Sequence, residues 1–445
     1  MPRSSLTSTR IRLPPGVAVL LLLSLAACAA PTHEDLAPTA EPVVREATLM
    51  GTRAQLRTYA GTRAEGLARL EAALDVLESS ERELSTWMDE SHISRLNRAP
   101  VGEPWLADGR TCDLLSDLTT LVAVTGGAFD PAIGRLIDAW DIHGAGRVPG
   151  DDELAEARGR SGWRRLVFTP ETCTVVRDAD VTIDVGAFGK GEALDRVERA
   201  GLRGSWLIDL GGQVSAVGTP PGSPRWPVAL AHPLDRAREV LALEIPSGSL
   251  ATSAGSERDL LVEGERVGHI LDPRTGLPAP FTGSVSVWHT SGLYADALST
   301  ALFVMGPDMG LAWAEAEDLA AVYLIPDSDG LRVMPSTAFQ PLIVDRRAAS
   351  TLSWRLPAER RSASEGWRAR TPPSPWTGSY FRRSLNRRSY SSRSMSPRAY
   401  RRFRIVSGDS PRGPSPPPTP ARATAQTRSN RTPSPMSGHS HIPPM

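Results

Sequence analysis

The sequence predicts an α+β body followed by a C-terminal tail that builds no core. Three observations carry this. Helical segments and a series of short strands are mixed without the regular alternation of a doubly wound fold. Hydrophobic residues make up 40% of the 445-residue chain and charged residues 22%, as in ordinary globular domains, and the length allows two or three of them. Beyond Asp345 the chain becomes rich in Arg, Ser and Pro and loses all apolar period.

In chain order, Arg3, Arg10 and Arg12 precede an apolar run from Val17 to Ala27, a charged region and a hydrophobic stretch too short for a comfortable membrane span. It ends in Leu25-Ala26-Ala27-Cys28, the form of a bacterial lipoprotein signal, with residues 1–27 removed and the Cys28 thiol carrying the lipid. An ordinary signal peptide with an incidental cysteine is the alternative. Residues 28–43 read as a Pro/Ala/Thr/Glu linker, and the patterned body covers 44–345.

MGTRAQLRTY alternates as a strand. AEGLARLEAALDVLESSERELS places Leu67, Leu70, Ala73 and Leu77 at helical spacing and runs into STWMDESHISRLN. TCDLLSDLTTLVAVTGGAFD reads as a helix ended at glycine. RRLVFT, CTVVRD, VTIDV, SWLIDLGG, WPVALA, EVLALEIP, GSLATSA, RVGHILD and GSVSVWH read as short strands. ADALSTALFVMG and GLAWAEAE are helical, and LAAVYLIP is a buried strand. Cys112 and Cys173 are expected as two buried free thiols, with pairing in an oxidising compartment the weaker reading. No zinc-ligand spacing occurs.

The formal net charge of +0 hides a split: residues 346–445 carry many arginines against three acids (Glu359, Glu365, Asp409), so the body is correspondingly acidic. The tail reads as a disordered extension, in preference to a basic arm for anionic lipid or nucleic acid; no nucleic-acid partner is expected.

Among 50 basic residues, Lys190 is the one lysine, lying in VTIDVGAFGKGEALD. Arginine-favouring codons with one survivor by drift explain this as readily as a position that needs a compact ammonium. GGAFDPAIGRLIDAW offers a glycine hinge, an acid and a proline, and LGGQVSAVG places glycines where backbone must approach something closely. GHILDPRTGLP puts His269, Asp272 and Arg274 on a strand leading into a turn, where Asp272 could simply cap the turn and pair with Arg274. YADALSTAL sets Asp296 and Thr300 one helical turn apart, as ligands for a hard cation or as a cap and a surface hydroxyl.

The order and wording of these pieces, from MGT at Met50 through STWMDESHISRLN, GAFDPAIGRLIDAW, IDVGAFGKGEALD, LIDLGGQV, LATSAGSER and HILDPRTGLP to ADALSTALFVMG, resemble the ApbE family of FAD:protein FMN transferases. The resemblance implies a two-lobed α+β fold with mixed sheets and packed helices. It implies FAD contacts at Met50, Trp87, Ala128, Phe129, Asp130, Asp184, Lys190 and Ile270. It implies Mg²⁺ ligands at Asp296, Thr300 and the carbonyl of Ala187. The expected reaction moves FMN from FAD to a Thr or Ser hydroxyl of an acceptor protein and releases AMP. His269 is the candidate proton acceptor and Asp272 the residue that orients it. The alternatives are an Mg²⁺-dependent FAD pyrophosphatase and a lipoprotein that binds FAD without catalysis. The expected place is the bacterial cell envelope, on a lipid anchor at the periplasmic side of the cytoplasmic membrane. Three departures from the family pattern stand out: Glu192 where an aromatic often follows Lys-Gly, Thr252-Ser253-Ala254 for TSG, and Trp140-Asp-Ile-His-Gly in place of a more apolar segment.

Overall fold

Residues 41–344 are described in a computed structural model, except 256–259, 263–264 and 329, and except the side chains of 260–262 and 265–266. The signal, Cys28, most of the linker and the basic tail lie outside the described residues. Strands β1 (Val43–Leu49) and β2 (Thr52–Thr58) form a hairpin whose turn needs positive φ at Met50 (51°) and Gly51 (68°). The patterned body thus begins at Val43, one residue inside the expected linker.

Helix α1 (Arg63–Leu84) starts where Thr62 Oγ1 accepts from Glu65 N at 3.2 Å, and it buries Leu70, Ala73, Leu77 and Leu84 along one stripe. The short α2 (His92–Arg98), strand β3 (Pro104–Leu106) and α3 (Gly109–Val124) follow, and α3 ends at Gly126 and Gly127, both at positive φ. Helices α4 (Gly134–Trp140) and α5 (Asp151–Gly159) lead to strands β4 (Leu166–Thr169) and β5 (Thr174–Arg177) and to helix α6 (Gly189–Arg199). Strands β6 (Trp206–Leu210), β7 (Gln213–Val217), β8 (Trp226–His232), β9 (Asp235–Ile245), β10 (Gly248–Ala254), β11 (Leu260–Val262), β12 (Glu265–Val267) and β13 (Ser284–His289) come next. Helix α7 (Gly292–Ala316) and strands β14 (Ala320–Asp327) and β15 (Gly330–Pro335) complete the body.

Eight strands make one sheet in the order β1-β2-β6-β7-β10-β13-β14-β15, and every described ladder is antiparallel where mixed sheets were expected. This sheet runs unbroken through the body, so the expected two lobes share it. Side chains alternate across it. Trp206, Ile208 and Leu210 of β6 pack with α1 and α6, whereas Leu207 packs with Ala216, Leu250 and Val322 under the β8–β9 hairpin. Val285, Val287 and Tyr323 pack against α7.

Two sequence expectations fail for clear reasons. VTIDV is extended but joins no ladder, because other groups take its backbone: Asn97 exchanges two hydrogen bonds with Ile183 (2.7 and 2.9 Å), Gly134 N donates to Thr182 O, and Asp184 N donates to Pro131 O. RVGHILD stops being a strand after β12, and its last part returns to pairing at a bridge of Leu271 to Pro278. The two C-terminal helical segments are one run broken at Gly306 (φ 73°), just before Pro307. There the Tyr323 hydroxyl lies 2.7 Å from the carbonyl of Leu302 and 3.1 Å from that of Gly306.

Cys112 and Cys173 are joined by a disulfide, not held as free thiols. Packing of α3 against the β4–β5 hairpin brings together cysteines 61 residues apart, a proximity invisible in the sequence. Converting both to serine, Cys112→Ser with Cys173→Ser, should lower unfolding free energy by about 2–4 kcal/mol through the freed loop entropy. Denaturant melts of the oxidised parent and the double variant check this; equal midpoints would refute it.

Candidate active site

The site is built where α6 meets the start of α7. A Cβ on Gly191 would sit 2.2 Å from the carbonyl oxygen of Gly292, so two glycines allow a backbone crossing that no side chain would permit. Asp195, one turn further along α6, accepts from the backbone N–H groups of Gly292 and Leu293 and from the Ser291 hydroxyl. One carboxylate thereby caps the N-terminus of the neighbouring helix. Across this joint Asp296 Oδ2 accepts from Gly191 N at 3.1 Å, and Asp296 Oδ1 lies 3.6 Å from the Lys190 ammonium. One turn on, the Thr300 hydroxyl donates to the Asp296 carbonyl (3.3 Å) and lies 3.3 Å from Ser253 Oγ.

These side chains face a cleft with two chambers. The inner one, roughly 160 Å³, is lined by Ala187, Asp296, Thr300, His269 and Ile270, among others. The outer one, roughly 550 Å³, is lined by Met50, Glu81, Trp87 and Met88. His143, Asp184, Gly186 and Lys190 border both and form the neck between them. Trp87 is 74% exposed, an unusual state for an indole and suited to stacking on a planar ligand. Met50 is positioned by its turn and by Glu81, which accepts from Met50 N at 3.0 Å. Asp184 is fixed at both oxygens: Oδ1 accepts from Gly186 N at 2.8 Å, and Oδ2 lies 2.9 Å from His143 Nε2.

Not every predicted residue reaches the cleft. Ala128 and Phe129 are fully buried in the core behind it. Asp130 spends its carboxylate on Ala132 N (2.9 Å) and Trp163 N (2.8 Å), and burial pushes its pKa up. This segment acts on the cleft through Pro131, whose carbonyl holds Asp184 N at 2.8 Å. Asp272 is gripped by the Arg274 guanidinium at 2.8 and 2.9 Å and accepts from Arg274 N, so its carboxylate organises the turn after His269. That is the structural alternative the sequence left open for it.

His143 and Glu81 escaped the sequence reading as site residues. The signal for His143 was the departure at Trp140-Asp-Ile-His-Gly; Glu81 gave none, being one of many acids on α1. Glu192, another of the three departures, turns away from the cleft. It is buried against α1, accepting from Arg196 Nε at 2.8 Å and Arg199 at 2.7 Å, while Arg196 also pairs with Glu83 at 2.7 Å.

A metal here would rest on one carboxylate, one hydroxyl and one backbone carbonyl, since no group of three or more His, Cys, Asp or Glu able to hold a metal ion exists among the described residues. The donor set still fits Mg²⁺, which takes hard oxygens and keeps positions for water and phosphate. Asp296 is buried, and the Gly191 N–H and the Lys190 ammonium leave lone pairs of its carboxylate available for a cation.

Behind the α7 N-terminus, burial lifts Asp195 to about 6 and lowers His289 to about 4. His289 Nδ1 accepts from Ser291 N at 2.9 Å, and its ring stacks on Tyr294. The two shifts act oppositely on stability. Folded Asp195 keeps a proton that the unfolded chain has lost, so its contribution falls as pH rises from about 4 to about 6. Folded His289 refuses a proton that the unfolded chain takes, so its contribution rises over about 4 to 6.5. Asp195→Asn removes the falling contribution, so unfolding free energy should climb with pH across this window more steeply than in the parent. Melts at half-unit pH steps check this; parallel profiles would refute it.

The ApbE family model matches residues 50–324. The FAD:protein FMN transferase of Treponema pallidum is 31% identical over 354 residues, covering 74% of this chain and 94% of that protein. The enzyme of the same description from Vibrio cholerae is 28% identical over 338 residues, covering 74% and 98%. Among solved structures, the ApbE protein of Thermotoga maritima superposes with a TM-score of 0.64 at 28% identity, over 68% of this chain and 100% of that one. The flavin transferase ApbE from Vibrio cholerae gives 0.60 at 27%, over 68% and 99%.

Proposed function

The chain belongs to the ApbE family and is a flavin transferase that takes FMN from FAD to a protein; we propose further that the acceptor is a Thr or Ser hydroxyl, that AMP is released, and that the reaction depends on Mg²⁺. The observation that carries this reading is the convergence on one two-chambered cleft of an exposed indole, an ammonium, a hard-oxygen donor set and a histidine.

FAD has an extended shape that suits two chambers, with its pyrophosphate at the neck beside Lys190. A bound Mg²⁺ on Asp296, Thr300 and the Ala187 carbonyl would neutralise pyrophosphate charge and polarise phosphorus. Lys190 contributes a point charge to the same anion. Trp87 and Met50 offer apolar surface for a flavin. His269 accepts the proton of the acceptor hydroxyl as that oxygen bonds to the FMN-side phosphorus, and the bond from this phosphorus to the AMP oxygen breaks. Gly186 and Gly189 let the backbone come close to the dinucleotide.

The direct test incubates the full chain with FAD, Mg²⁺ and a peptide bearing an Asp-Gly-Ala-Thr-type acceptor. Mass spectrometry should show FMN-peptide and AMP; free FMN and AMP would mean hydrolysis, and intact FAD a binding protein. Asp296→Ala should abolish turnover in a folded protein. Thr300→Ala should be milder and partly rescued by raised Mg²⁺. Lys190→Arg keeps the charge but replaces a compact ammonium with a planar fork, and should lower kcat/KM about tenfold or more. Unchanged turnover in Lys190→Arg would make the single lysine an accident of codon use.

We also place the protein on a lipid anchor through Cys28 at the cell envelope. The signal-like N-terminus supports this, and so does a disulfide of the kind that persists in oxidising compartments. Cys28→Ser should move the protein from the membrane fraction to the soluble fraction; continued sedimentation with lipid would place the anchor elsewhere.

A further inference from the structure

His143 stands at the neck of the cleft without a part in the reaction described above. Its Nε2 lies 2.9 Å from Asp184 Oδ2, and its ring meets the Trp87 indole edge-on, with centroids 5.2 Å apart and planes at 67°. It borders both chambers. It is placed there by the end of α4, where Asp141 adopts a left-handed conformation (φ 51°) and its carboxylate accepts from Ala145 N at 2.9 Å and Gly146 N at 3.2 Å. A Cβ on Gly144 would lie 2.3 Å from that same carboxylate, so the loop presenting His143 has a defined shape.

Two problems at the neck call for such a residue. Asp184 is a carboxylate beside the route of a dianionic pyrophosphate, and a loose carboxylate there would repel it. Trp87 is largely exposed and has many rotamers to lose when a ring stacks on it. We propose that His143 is a positioning residue that presets both chambers for FAD: its Nε2 holds the Asp184 carboxylate, and its ring holds the Trp87 indole in a stacking pose. This rests on the flavin-transferase reading and extends it to a residue outside the family pattern. Neither contact involves a reacting atom, so His143 acts on binding and pose, not on bond making.

Two substitutions separate the contacts. His143→Phe keeps an aromatic ring beside Trp87 and loses the bond to Asp184. His143→Gln keeps a hydrogen-bond donor and loses the ring. FAD binding to the full chain is measured by titration, with quenching of flavin fluorescence at saturation as the signature of indole stacking. His143→Phe should weaken FAD affinity about tenfold, the size expected for one charge-assisted hydrogen bond, and keep the parent's quenching. His143→Gln should bind within about threefold of the parent and lose a clear part of the quenching. In both, KM for FAD should move more than kcat. Melting temperatures near the parent's confirm folding. If both variants match the parent in affinity and quenching, or if both lose both together, the division of labour is overturned. A parent chain that binds no FAD overturns the functional reading itself, and this inference with it, so the two failures are told apart by the parent alone.

Discussion

The site depends on one close approach, the crossing of α6 and α7 at Gly191 and Gly292. Helices with ordinary side chains at their contact lie 8–10 Å apart. Here the missing Cβ atoms let the Gly191 backbone reach the first turn of α7, and Asp195 locks the approach by capping that turn. Lys190 and Asp296 then meet because their neighbours meet. An alanine at position 191 would leave every proposed site residue in the sequence and still part them. The electrostatic cost of the joint is a carboxylate buried almost completely: burial raises its pKa to about 6 although three hydrogen bonds favour the charged form.

Local pattern made much of this architecture legible. The stripe of Leu70, Ala73 and Leu77 gave α1, the glycine pair gave the end of α3, and strand-like runs gave β2, β6, β10, β13 and β14 of the large sheet but not β1, β7 or β15. What stayed hidden depended on side chains meeting backbone at long range. VTIDV has the composition of a strand, but Asn97, 86 residues upstream, takes the two groups of Ile183 that a ladder would use. The cysteine pair was hidden for the same reason, since spacing carries no information about which loops a core brings together. The pieces that looked weakest alone, such as Asp296 with Thr300, were recoverable because many short motifs occurred in one order.

Two of the three departures from the family pattern go opposite ways. Glu192 is absorbed by the scaffold: it joins Arg196, Arg199 and Glu83 in a network linking α6 to α1, where a buried charge is tolerable because each partner is hydrogen-bonded. His143 goes the other way and enters the cleft. Sequence treats both as a polar residue where an apolar one is common. Only the direction of the side chain, set by helix phase for one and by the Asp141 loop for the other, separates a scaffold change from a change in the site.

A metal site with one protein carboxylate suits a reaction whose substrate brings its own anion. A cage of several carboxylates would hold Mg²⁺ firmly without substrate, but its charge would oppose the entry of a pyrophosphate. In the proposed site, Asp296 with neutral Thr300 and a carbonyl would leave most of an ion's positions to water and to the substrate's phosphate oxygens. Lys190 tips the same balance further toward the anion. The acids that remain nearby are each restrained: Asp184 by Gly186 and His143, and Asp272 by Arg274. The acidic body can therefore present, at one neck, an ammonium that meets a dinucleotide's charge, and the proposed cation would add to it.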